Sequence, residues 1–360
     1  MSAPPLAPAM PNAFTDAYQH PSNLTHKYIR YAKHPSTVCT VYRHPTNWDA
    51  VGGNPCLLVF HAGSWVSVGW DQDLFNFNSP FTPNRGHHVV AASLLDPKYG
   101  YSSTTIDKTK PAFTLVSCEY PQAASLAGKP TYPDYGYWGD QAAIGRAVQY
   151  FKDNAWRWGI NKDLIFTWGQ SAGSCNGMVN LLSPSLPFLP NYRAGSRWDR
   201  YSSSRVAGHL NWYGEITCVG EEYNYTSGVY ANPAGTNAGL FGDIPASQSD
   251  WSEHNIVPLS IQKRSSPMYL LGLKRKENVG LSILSFYAQS EDNNNSGHDP
   301  KQFSVLAAAC AEAGVNHQGR IVATNGVTDL GQTIGETYAW LKGLVEQADA
   351  YRVGLAPAAF

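Results

Sequence analysis

Ten residues, Leu164-Ile-Phe-Thr-Trp168-Gly169-Gln170-Ser171-Ala172-Gly173, restrict the architecture of this chain more than any other stretch. An apolar run of strand type passes into Gly-x-Ser-x-Gly and then into residues able to open a helix. A serine on so sharp a strand-to-helix turn takes up a strained backbone conformation, and its neighbours must be small for the turn to close. The turn exposes the hydroxyl at the end of a sheet. The helix behind it aims its positive end and free N–H groups at negative charge developing there. The bare motif recurs by chance; a strand before it and a helix after it give it weight.

The rest of the chain alternates in the same way. Lys27-Tyr-Ile-Arg-Tyr31 and Ser36-Thr-Val-Cys-Thr-Val-Tyr42 read as an antiparallel edge pair. The continuous apolar run Cys56-Leu-Leu-Val-Phe60 reads as a strand buried on both faces, and His88 to Ser93 as a second one. Leu95 to Trp138 is rich in Pro, Tyr and Gly without periodicity and reads as a long functional loop. A helix capped by Asp140 carries Ala143, Ile144, Ala147, Val148 and Phe151 on one face and ends near Trp158-Gly159. Further strands are expected at Val206 to Tyr213, Leu281 to Ala288 and Arg320 to Thr324, with helices at Gln302 to Ala313 and Thr333 to Val345. Strands alternating with helices predict an α/β protein, a mostly parallel central sheet flanked by helices. The expected organisation is one domain over 26–350, with a leader at 1–25, a tail at 351–360 and insertions near 95–138 and 217–263.

Composition narrows the function classes. Net charge is −1 and charged residues are only 15%, so neither a nucleic-acid surface nor an acidic tail is indicated. The six cysteines are scattered, with no Cys-x-x-Cys, so no metal or other cofactor is expected; a disulfide cannot be paired from sequence. Met1 to Pro11 is neither a signal peptide nor an anchor, and no run spans a bilayer, so the compartment is read as cytoplasmic or unassigned. The 11 Trp and 21 Tyr suit an aromatic-lined cleft as well as ordinary packing.

On these residues the chain resembles the α/β-hydrolase superfamily, most of all the carboxylesterase and hormone-sensitive-lipase-like esterases. The likeness runs from about Pro55 to Val345 and is tightest from Gly139 to Pro184, where Asp140-Gln-Ala-Ala leads through Asn154-Ala-Trp-Arg-Trp-Gly to the serine elbow and Leu181-Leu-Ser-Pro184. His61-Ala62-Gly63-Ser64-Trp65 falls where the family has His-Gly-Gly-x-Trp, with Ala62 in place of a glycine. The resemblance implies an α/β-hydrolase fold with a cap-like insertion and Ser171 as nucleophile. It implies an oxyanion hole from the N–H groups of Gly63, Ser64 and Ala172, and a structural role for His61.

Family order runs serine, acid, histidine along the chain. The acid expected after the strand ending at Ala288 is Glu291 or Asp292, with Asp292 preferred. The histidine should follow the last strand, yet Asn325-Gly-Val-Thr-Asp-Leu-Gly331 contains none. His298 is the preferred substitute and His317 the weaker one; His87 and His88 read as packing residues. Two functions follow. One is a serine esterase acting on a small-molecule or glycan ester, with no nucleic acid and the oligomeric state open. The other is a catalytically impaired hydrolase-fold binding or assembly protein, such as a virion component.

Overall fold

Apolar runs separated by helical stretches assemble side by side into one sheet. The computed structural model describes residues 22–32, 36–43, 53–62, 90–91, 94, 113–121, 139–184, 203–216, 266–289, 298–323 and 330–352. The strands are β1 Thr25–Arg30, β2 Val38–Tyr42, β3 Asn54–Phe60, β4 Thr114–Cys118, β5 Ile160–Gln170, β6 Gly208–Trp212, β7 Ser282–Ala288 and β8 Asn316–Val322. They lie in the order β1-β2-β4-β3-β5-β6-β7-β8. Every neighbouring pair from β4 to β8 is parallel, while β1 and β2 join antiparallel at one edge. The described helices of four residues or more are α1 Gly139–Asp153, α2 Ala155–Trp158, α3 Ala172–Leu182, α4 Pro267–Gly272, α5 Lys301–Ala313 and α6 Leu330–Arg352. Among the described residues no helix is long and apolar enough to cross a membrane.

The two faces of the sheet are covered by different helices. A Cβ on Gly208 of β6 would lie 2.8 Å from the Trp340 ring of α6, and Phe166 of β5 packs edge-on to that ring. The next residue, His209, is instead bonded to Thr167 of β5 and Ser174 of α3. Side chains alternate along a strand, so α6 covers one face and α3 the other. The α6 face is aromatic: Trp168 meets Trp212, which meets Phe286. The α3 face is polar, with Thr167, His209, Asn211, Ser285 and Tyr287 all buried.

Several expected elements fall elsewhere. Of the strand expected at His88 to Ser93, the described Val90 and Ala91 are instead helical and buried, and the other four residues lie outside the described residues. Strand β3 lies between β5 and β4, and β4 falls inside the stretch read as a long loop. The last strand begins at Asn316 rather than Arg320, and the last helix extends from Leu330 to Arg352. Cys39, Cys56, Cys118, Cys175 and Cys310 are buried and form no disulfide among the described residues, and Cys218 lies outside them. So do the leader before Ser22, the 217–263 stretch and the tail at 353–360.

Candidate active site

Parallel strands bring their C-terminal ends to one edge, where open α/β sheets hold their sites. Ser171 stands there at the end of β5, with φ 52° and ψ −124°, immediately before α3 opens at Ala172. A non-glycine residue with positive φ is held only where its surroundings over-determine it. Here the Ser171 N–H donates to the Trp212 carbonyl at 3.1 Å, and the Ser171 carbonyl accepts from the N–H groups of Ser174 and Cys175. The flanking glycines let the turn close. A Cβ on Gly169 would lie 2.3 Å from the Gly173 backbone, and one on Gly173 would lie 2.3 Å from the His61 carbonyl oxygen. The chain leaving β3 therefore runs directly against the first turn of α3. The N–H of Ala172 sits at the positive end of that helix.

Two groups reach the serine hydroxyl. His298 Nε2 lies 2.6 Å from Ser171 Oγ. Glu215 Oε1 accepts from Ser171 Oγ at 3.2 Å and lies 3.5 Å from His298 Nε2. His298 stands just ahead of α5, whose start is fixed by the Asp299 carboxylate accepting the Lys301 N–H at 2.8 Å. Its ring packs on Tyr213, with centroids 4.8 Å apart. Tyr213 in turn has φ 35° and its hydroxyl accepts a hydrogen bond from Gln170. A serine, an imidazole within proton-transfer reach and a helix N-terminus are the parts that acyl transfer requires.

Glu215, which the sequence reading did not single out, is firmly mounted. On one side, the Gly214 N–H donates to Asn211 Oδ1 and the Gly214 carbonyl accepts from the Tyr287 hydroxyl, each at 2.7 Å. On the other, the Ile216 N–H donates to buried Gln302 of α5. Strands β6 and β7 and helix α5 thus jointly fix the backbone on either side of Glu215. The signal in the sequence was slender: an acid three residues past a strand, lying between the serine and the histidine.

Across β5 a second pair closes the ends of β3 and β4. His61 Nε2 meets Glu119 Oε1 at 2.9 Å, the His61 carbonyl accepts from the Tyr120 hydroxyl, and the His61 ring stacks on Tyr120. His61 thereby fixes the chain just before Gly63. Gly63, Ser64, Glu291, Asp292, His87 and His88 lie outside the described residues. His317 is inside β8, bonded to Ser285, and burial lowers its pKa to about 4. It borders a hollow of about 740 Å³ between β8, α5 and α6 that contains neither Ser171 nor His298. Among the described residues no cluster of three or more His, Cys, Asp or Glu side chains is placed to hold a metal ion.

No protein-family model matches the chain, and no curated protein matches it in sequence. Solved structures do match. A truncated carbohydrate esterase from gut microbiota shares 13% identity over 91% of this chain and 98% of its own, at a TM-score of 0.57. An inhibited esterase B from Lactobacillus rhamnosis shares 10% identity over 94% and 93%, at 0.58. The fold is one that esterases use. A thermophilic esterase from Thermogutta terrifontis, with propionate bound, extends the series at 14% identity over 92% and 96%, with a TM-score of 0.54. At these identities the likeness is one of fold.

Proposed function

We propose that the chain is a serine esterase of the α/β-hydrolase fold, cleaving a small or medium acyl ester through an acyl-enzyme at Ser171. The observation that carries this reading is the 2.6 Å approach of His298 Nε2 to Ser171 Oγ on a backbone turn with positive φ. As Ser171 attacks the ester carbonyl its hydroxyl turns from Glu215 Oε1 to His298 Nε2, which takes the proton and then gives it to the departing alcohol. The N–H groups of Gly63, Ser64 and Ala172 hold the oxyanion, and Asp292 orients the imidazolium. In this reading residues 26–350 are a single hydrolase domain, and the insertions near 95–138 and 217–263 supply a cap-like cover over the cleft. The structural neighbours include esterases with propionate or butyrate bound and one carrying a phosphorus adduct from tabun. These support short acyl groups and a covalent serine route. The binding-protein alternative drew on the lack of a histidine after the last strand; an imidazole supplied from the preceding connection removes that ground.

Labelling with a fluorophosphonate probe, alongside hydrolysis of p-nitrophenyl acetate and butyrate, tests the proposal. Labelling and turnover are both expected in the wild type and both lost in Ser171→Ala. Turnover that persists in that variant would overturn it.

A further inference from the structure

Glu215 lies on the reactive side of His298, which sets its function apart from that of an acid orienting the far nitrogen. Its side chain is 4% exposed, and its Oε1 meets both the nucleophile hydroxyl and His298 Nε2, the nitrogen that faces the serine. Its Oε2 is buried with no hydrogen-bond partner among the described residues. In the resting site the Ser171 hydroxyl serves Oε1. Once Ser171 is acylated that proton has left with the alcohol, and Oε1 loses its donor as well. The space vacated by the alcohol lies against His298 Nε2, where the attacking water must also stand.

Building on the esterase reading, we propose that Glu215 is a catalytic carboxylate of the second half-reaction, holding the hydrolytic water beside His298. The water donates one hydrogen to Glu215 Oε1 and directs the other at His298 Nε2, so that its oxygen faces the acyl carbon. The new C–O bond forms as His298 takes that second proton. The tetrahedral intermediate then expels Ser171 Oγ, which recovers the proton from His298, and the carboxylic acid leaves. Glu215 accepts a hydrogen bond throughout and ends with no net proton. The rigid mounting of its backbone by Asn211, Tyr287 and Gln302 keeps the carboxylate in place when its serine partner is gone.

The test resolves the two half-reactions in Glu215→Gln by stopped-flow hydrolysis of p-nitrophenyl acetate, with mass spectrometry of the protein. The burst of p-nitrophenolate should stay within about threefold of wild type in rate, whereas the steady-state rate should fall about 10²-fold. An acetyl adduct should accumulate on Ser171, and hydroxylamine, a stronger nucleophile than water, should discharge it. Glu215→Asp, which keeps the charge, should recover part of the loss. Fluorophosphonate labelling of the variant at the wild-type rate confirms that the elbow is intact. Equal slowing of burst and steady state would overturn the proposal by making Glu215 a partner of His298 in both steps. Unchanged turnover would overturn it too. A wild type that neither labels nor turns over would defeat the esterase reading itself, and this one with it.

Discussion

Two buried glutamates each meet a histidine at the C-terminal edge of the sheet, one pair on either side of Ser171, and they are built differently. His61 and Glu119 close the ends of β3 and β4. Both residues are under 10% exposed, and both His61 ring nitrogens have partners, Glu119 and the Ala62 carbonyl. Glu215 stands past the end of β6 and His298 just ahead of α5. The His298 side chain is 26% exposed, its Nε2 meets a nucleophile hydroxyl, and one Glu215 oxygen has no partner among the described residues. The same two residue types act as a brace where the histidine is enclosed between two strand ends and as machinery where it meets a nucleophile.

The largest effect that could break this contrast is on the histidines. His298→Ala should lower kcat/KM for p-nitrophenyl acetate by about 10²–10⁴, whereas His317→Ala, which removes contacts to Ser285 of β7 and Phe303 of α5, should stay within a few-fold. The reverse ranking would mean that the base has been assigned to the wrong histidine. Gly173→Ala comes next. Its Cβ would strike the His61 carbonyl at 2.3 Å, displacing the brace and with it the chain leading to Gly63. Loss of one oxyanion donor typically costs about 10²–10³ in rate, so a fall of that size, with Ser171 still labelled slowly, is expected. A near-normal rate would show that the brace does not govern the oxyanion loop. Glu119→Gln keeps the shape and a hydrogen-bond acceptor facing His61, so its effect on turnover should be under about tenfold. A loss as deep as that of Glu215→Gln would erase the distinction between the two pairs.

The extent to which the sequence disclosed this arrangement follows from the physics of each element. Strands β3, β5 and β7 are buried on both faces and appear as continuous apolar runs. Edge strand β8, Asn316-His-Gln-Gly-Arg-Ile-Val322, is largely exposed and has no such run over its first five residues, so the apolar pattern points to Arg320 and not to its true start. Strand β4 has only Thr-Leu-Val-Ser-Cys, set in a Pro- and Gly-rich stretch that hid it. Ser171 was legible because backbone strain demands a glycine pattern. His298 was legible only by elimination. Glu119 and Glu215 carry no local signature, since each is defined by a partner 58 or 83 residues away that only the strand order brings near.

A third buried histidine, with no carboxylate beside it, isolates what the carboxylates contribute. On the α3 face, the Ser174 hydroxyl donates to Asn211 Oδ1 at 2.7 Å, so Ser174 Oγ must accept from His209 Nε2–H, and His209 Nδ1 must accept from the Thr167 hydroxyl. The Asn211 amide donates onward to Ser285 and Tyr287, and Tyr287 to the Gly214 carbonyl. Every proton in this chain is assigned with His209 neutral, and burial lowers its pKa from 6.5 to about 3. The unfolded chain takes up a proton at His209 below about pH 6.5, while the folded one does so only near pH 3. Stability from this group is therefore complete above pH 6.5 and is lost as pH falls towards 3, at about 1.4 kcal/mol per pH unit. Near pH 5 the loss is about 2 kcal/mol. Gln at position 209 keeps a donor and an acceptor but cannot titrate. Urea unfolding near pH 7 and pH 5 should therefore show a smaller drop for His209→Gln than for wild type, by about that amount. Equal drops would mean that His209 becomes charged in the folded protein. The network holding Gly214, and through it Glu215, would then have to be reversible rather than fixed.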